Sequence, residues 1–147
     1  MSTSYKLVNN ESLEETFLYV ADYAHIAANA TVSNQVVIGE IPAGGAVKSV
    51  YVYEKVALAG ASDITLDVGT TANDPDEFIN ALDVDGMSAP VYNTGDAFEA
   101  ANAEGIALVG KTNTATDILA EWNGTVGDLT AGKVVVAVTV YNPGKFA

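Results

Sequence analysis

Chemistry in this 147-residue chain would have to come from its carboxylates, because the other reactive side chains are nearly absent. It holds 19 aspartates and glutamates, one histidine and no cysteine. The histidine, His25, lies in an alternating stretch of the sequence. A lone imidazole can serve as a general base, but a metal site would need further imidazoles or thiolates, so ordinary placement in a strand is the expectation. No serine stands in a Gly-x-Ser-x-Gly elbow. Gly44-Gly45 runs on into Ala46-Val47-Lys48 rather than into a phosphate loop. Cysteine nucleophiles, thiolate metal sites and disulfides are excluded outright.

The carboxylates deserve a closer reading. Asp63, Asp67, Asp74, Asp76, Asp83 and Asp85 crowd one stretch of the chain. Two carboxylates can act as acid and base on a glycosidic bond, but they need a cleft lined by sugar-stacking aromatics. The one tryptophan, Trp122, is in a different segment. Asp83-Val84-Asp85-Gly86 resembles the opening of a calcium loop. The twelfth position, however, is Thr94, where an EF-hand requires a bidentate glutamate. What remains is a non-standard calcium site built from Asp74, Asp76, Asp83 and Asp85, weighed against solvated turn and cap residues. The second reading is the expectation, so no enzyme activity, cofactor or resident metal is expected.

Charge narrows the partners. The net charge is −13, and all six basic residues are lysines. Nucleic-acid binding needs clustered cations to displace counterions, and commonly arginine to read base edges. Anionic membrane surfaces are disfavoured for the same reason. Neither nucleic acid nor membrane is therefore an expected partner. Solubility is the ordinary role of such a charge; a strongly acidic outer face would also keep crowded copies on one assembly from associating. Residues 1–15 show no basic-then-apolar leader pattern, and no apolar run approaches the ~18 residues of a membrane span.

The elements that must position these residues read as strands. Ile64, Leu66 and Val68 alternate with Thr65, Asp67 and Gly69, and Val50, Val52 and Val56 alternate with Tyr51, Tyr53 and Lys55. Residues 17–26 predict a further strand, and shorter ones are expected over 35–41, 105–109 and 117–122. The run 133–141 carries Val134, Val136, Val138 and Val140 on one face and Val135, Ala137, Thr139 and Tyr141 on the other. A strand apolar on both faces belongs inside a sheet. Asp74-Pro75-Asp76-Glu77 has helix-start grammar, with Phe78, Ile79 and Leu82 as an apolar side, and residues 98–104 are a second helix candidate. The sum is an all-β, antiparallel two-sheet sandwich of about eight strands, with one or two short helices in a long loop. No linker divides the chain, so one domain over 11–147 is expected, preceded by a flexible arm over 1–10. Tyr51 and Tyr53 oppose the valines of their strand, so either the tyrosines or the valines are left free for a neighbour. With Val135 and Tyr141 they are the candidate interface residues.

Three stretches together carry a resemblance. They are Ile41-Pro42-Ala43-Gly44-Gly45 leading into Val47-Lys48-Ser49-Val50-Tyr51-Val52; residues 64–79, with Gly69 and Asn73-Asp74-Pro75-Asp76-Glu77-Phe78; and the closing strand from Gly132 to Tyr141. Their order resembles that in small virion proteins of tailed phages, some of which look like jelly-roll head decoration (capsid cement) proteins. The resemblance covers residues 35–141 and includes no catalytic signature. It implies a bacteriophage capsid decoration protein bound to the outside of the major capsid protein shell. It further implies a homo-oligomer, with a trimer favoured, placed on the virion surface after assembly in the host cytoplasm. The alternative is a tail-fibre or receptor-binding jelly-roll module that grips host glycan through Tyr92, Phe98 and Trp122.

Overall fold

A computed structural model describes residues 2–8, 13–28, 35–70, 74–87, 89–92, 94–95, 97–98 and 108–144. Its organising element is the valine-rich strand β9 (Ala131–Tyr141), whose Val134, Val136, Val138 and Val140 are fully buried. A strand apolar on both faces is costly at an edge, where unpaired backbone groups would invite foreign strands. β9 accordingly sits in the middle of a five-stranded antiparallel sheet, between β2 (Glu14–Asp22) and β4 (Ala46–Ala59). The sheet is completed by β1 (Ser2–Val8) outside β2 and the two-residue β7 (Val91–Tyr92) outside β4.

The second sheet runs β3 (Gln35–Ile41), β8 (Thr116–Asn123), β5 (Thr65–Gly69), β6 (Ile79–Asp83), again antiparallel. With β1 set aside, strands β2 to β9 fall into the orders 2-9-4-7 and 3-8-5-6. This is the double Greek key of a jelly roll. The expected all-β two-sheet sandwich is therefore present. Period-two alternation sends Val50 and Val52 of β4, Leu66 and Val68 of β5, and Ile118, Ala120 and Trp122 of β8 into one shared core. Each large aliphatic side chain so buried contributes about 1.5–3 kcal/mol.

The first helix candidate is not a helix. Residues 74–82 form no helix: a turn leads into β6, and the Phe78 amide donates to the Val68 carbonyl at 2.8 Å. Ile79 pairs with Val68 and Leu82 with Leu66, so β5 recruits as a strand what local signals favoured as a helix. Glu77 does not answer a cap; it accepts the Thr70 hydroxyl at 2.8 Å. A helix, α1 (Tyr23–Ala28), follows β2 instead and cuts short the strand expected over 17–26. Asp22 Oδ1 accepts the His25 amide at 3.0 Å, the bond an N-cap makes to the third helical residue. A 3-10 turn over Val126–Asp128 joins β8 to β9. Of the helix candidate over 98–104 only Phe98 is described, and it is helical together with Ala97; residues 99–104 and most of the strand expected at 105–109 lie outside the described residues. Val109 itself makes an isolated bridge to Val47. Residues 2–8, read from sequence as part of an arm, run antiparallel to β2 from Ser2 opposite Ala21 to Val8 opposite Glu15.

Candidate interface

The two sheets turn different chemistry to the outside. In the five-stranded sheet, burial of the even-numbered valines of β9 leaves Val135, Ala137, Thr139 and Tyr141 on the outer face. The cross-strand register then collects their neighbours. Val135 lies between Val20 and Tyr53, Ala137 between Leu18 and Tyr51, and Thr139 between Thr16 and Ser49. Thr16 and Thr139 share a hydroxyl–hydroxyl hydrogen bond of 3.0 Å. Such opposed pairs are the units that stabilise a sheet, so the face is firmly built.

Tyr51 is the hub of this face. Its ring meets that of Tyr53 at 5.3 Å and 66°, and that of Tyr92 on β7 at 4.8 Å and 64°. Edge-to-face contacts of this kind add about 0.5–1.5 kcal/mol beyond burial. They also hold the rings in place before any partner arrives. Desolvation, then the neighbouring Tyr92 and Tyr53 hydroxyls, hold the Tyr51 phenol above its ordinary pKa. Tyr92 is 58% exposed, whereas Val135, shielded by its neighbours, is only 4% exposed. All four sequence-derived interface candidates, Tyr51, Tyr53, Val135 and Tyr141, thus fall on one face. Leu18, Val20 and Tyr92 complete it and were not singled out for it. Period-two alternation could have nominated Leu18 and Val20, but only the pairing of Tyr51 with Tyr92 brings β7 alongside.

The four-stranded sheet is acidic outside. Asp67 of β5 stands directly opposite Glu121 of β8, and Asp117 of β8 opposite Glu40 of β3. Like charges directly opposed across strands destabilise a sheet, and this pairing is bearable where water screens it. Amide donors offset part of the cost. Asn123 Nδ2 donates to Asp67 at 3.0 Å, the Ala81 amide donates to Asp67 at 2.5 Å, and Gln35 Nε2 donates to Glu121 at 2.7 Å. Desolvation still pushes the Asp67 carboxyl above its usual range, with Glu121 and Asp76 acting in the same direction.

The other sequence-derived candidates are dispersed. Asp83 and Asp85 line an open depression with Met87, Ala89, Pro90 and Val91, and Asp83 Oδ1 accepts the Asp85 amide at 3.0 Å, as a turn residue does. Asp74 is a turn residue after β5, where its carbonyl accepts the Thr70 amide, and Asp76 is near Asp67. Among the described residues, no three carboxylate or imidazole groups converge on a position that could hold a metal ion.

The aromatic residues offered for glycan are largely internal. Trp122 is fully buried and Phe98 is 4% exposed, which leaves Tyr92 alone outside. Trp122 instead ends a buried chain of hydrogen bonds. Its Nε1–H donates to the Tyr19 hydroxyl at 3.2 Å, and that hydroxyl shares a hydrogen bond of 2.6 Å with His25 Nε2. Burial holds the His25 pKa below its ordinary value, which favours the neutral imidazole. His25 is thus a structural hydrogen-bonding partner at the joint between β2 and α1.

Comparison with solved structures finds the same fold elsewhere. A chain of the structure described as "Cyanophage Pam1 capsid asymmetric unit" matches with a TM-score of 0.54 at 18% identity, covering 97% of this chain and 82% of that one. The fold is shared with a chain of a phage capsid structure. Two further matches are "Acidic stable capsid structure of Helicobacter pylori bacteriophage KHP30" and "Capsid of Ralstonia phage GP4". The first has a TM-score of 0.48 at 12% identity over 98% of this chain and 95% of that one. The second has a TM-score of 0.49 at 14% identity over 85% and 84%. No protein-family model and no curated protein sequence matches the chain.

Proposed function

We propose that this chain is a structural component of a bacteriophage capsid, a decoration or cement protein bound to the outside of the major capsid protein shell. The observation that carries the reading is the jelly roll shared, over nearly the whole chain, with a chain of the cyanophage Pam1 capsid structure. A feature of the surface supports it. One broad sheet face is uncharged at its centre and already ordered, as adhesive work without chemistry requires. Decoration of a symmetric shell favours a homo-oligomer, a trimer above all, because closed symmetry lets each subunit make the same contacts. The protein would reach the shell surface in the host cytoplasm, where heads assemble.

Immunogold labelling of the source phage particles with antibody against the purified chain tests this reading. Gold distributed over the head is the expected result. Gold confined to the tail or its tip would transfer the protein to host attachment, and unlabelled particles would remove it from the virion.

A further inference from the structure

We infer that the outer face of the five-stranded sheet is the surface that docks on the shell, and that the acidic sheet faces solvent. The inference rests on the capsid reading above and adds to it an orientation and the chemistry of the partner surface.

The argument begins with what each face costs to cover. Covering the four-stranded sheet would desolvate the opposed pairs Asp67–Glu121 and Glu40–Asp117, and removing unpaired charge from water is expensive. Covering the centre of the five-stranded sheet desolvates Leu18, Val20, Ala137 and three tyrosines, whose burial is favourable, while the charges of this face, Glu14 with Lys48 and Asp22 opposite Lys133, lie at its two ends. β1 continues this face by register, with Thr3 opposite Val20, Tyr5 opposite Leu18 and Leu7 opposite Thr16. Without β1, strands β2, β9, β4 and β7 hold 9, 11, 14 and 2 residues, which at about 3.4 Å per residue and about 4.8 Å between strands span roughly 590 Å² in projection. Counted on both partners, such a patch reaches about the 1,000 Å² that a specific interface needs.

Charge then selects the occupant. A second copy is a poor match, since each chain carries −13 and has no arginine. Interfaces rich in tyrosine draw on arginine from the partner, whose guanidinium stacks on the rings and donates to the hydroxyls. This chain supplies the rings and cannot supply the guanidinium. The complementary surface therefore belongs to a different protein: an aliphatic centre rimmed by arginine or lysine. The sandwich places the acidic sheet about 10 Å behind the docking face. At that separation the acidic charge still attracts a basic surface and repels a second acidic copy, and on the solvent side it faces neighbouring copies.

The test is co-sedimentation of the purified chain with shells assembled from the source phage's major capsid protein alone. Tyr92→Asp and Tyr53→Asp alter the docking face at exposed or half-exposed positions, and unchanged circular dichroism and melting confirm folding. We expect each to weaken shell binding by at least about tenfold, whereas Asp117→Lys and Glu121→Lys leave it within about threefold. Loss of binding through the acidic-face variants, with the tyrosine variants unaffected, would overturn the orientation and leave the capsid reading standing. Failure of the unmodified chain to bind shells would overturn both. Sedimentation equilibrium of the chain alone is the second measurement: a dimer dissolved by Tyr92→Asp would show that a second copy covers this face and would refute the heterologous partner.

Discussion

Replacing Tyr19 by phenylalanine removes one oxygen from the core and tests the internal hydrogen-bond chain directly. Tyr19 is 1% exposed and Trp122 is fully buried. In the variant the Trp122 Nε1–H loses its acceptor with no route to water, and His25 Nε2 loses its partner at a more accessible position. An unsatisfied buried donor costs about 1–3 kcal/mol, more than the roughly 0.5–1.5 kcal/mol net value of an ordinary hydrogen bond. The ring itself still fills its space, so no cavity adds to the loss. The expected destabilisation is about 1–3 kcal/mol, equivalent to a fall in Tm of roughly 3–9 °C for a domain of this size. Urea unfolding followed by tryptophan fluorescence is the assay, since Trp122 is the sole tryptophan and reports on the same site. Tyr51→Phe is the control. Its hydroxyl lies on the outer, half-exposed face, and its loss should stay within about 0.5 kcal/mol. If Tyr19→Phe were as benign as Tyr51→Phe, the buried chain would not be a structural device.

Other consequences can be measured on the same protein. His25 is held below its ordinary pKa by burial, so between its folded value and the unfolded value of about 6.5 the unfolded chain binds more protons. Stability should therefore fall as pH drops below about 6.5, and His25→Gln, which keeps an acceptor for Tyr19, should flatten that part of the urea-midpoint profile. Burial raises the Asp67 and Glu77 carboxyls, which act in the opposite sense and restore stability as pH falls through their folded values. Asp67→Asn should accordingly raise Tm at pH 7, with the gain fading once the native Asp67 is protonated; a gain independent of pH would argue against like-charge repulsion from Glu121. Gly124 adopts φ +100°, and a Cβ there would run into the Asp63 carbonyl oxygen, whereas Gly86 at φ +75° faces open space. In urea unfolding, Gly124→Ala should cost more than about 2 kcal/mol and Gly86→Ala only about 1 kcal/mol.

Much of the architecture was readable from side-chain alternation. The doubly apolar run at the C-terminal end required an interior position, and β9 occupies the centre of its sheet because both its edges and both its faces must be covered. The opposition of Tyr51 and Tyr53 to Val50 and Val52 was equally plain, and hydrophobic burial chose the valine side as the core. Helix signals were less dependable. Asp74-Pro75-Asp76-Glu77 favours a helix start locally by a kilocalorie or so, but burying Phe78 and Ile79 against β5 is worth several. The reverse occurred at Tyr23, where Asp22 ends a strand whose alternation seemed to continue.

What the sequence determined by itself is what composition and local periodicity can encode: a Cys-free, strongly acidic β-protein without a conventional catalytic or metal-binding motif, and with a tyrosine strand opposed to its core face. Tertiary structure alone decided where those groups lie relative to one another. Tyr51 and Tyr92 are 41 positions apart, Tyr19 and Trp122 far more, and no local energy term couples residues at such separations. Strand pairing does, because each backbone donor removed from water must find an acceptor. Satisfying that demand across nine strands places the tyrosines and aliphatic residues at the centre of one outer face and the opposed carboxylates on the other.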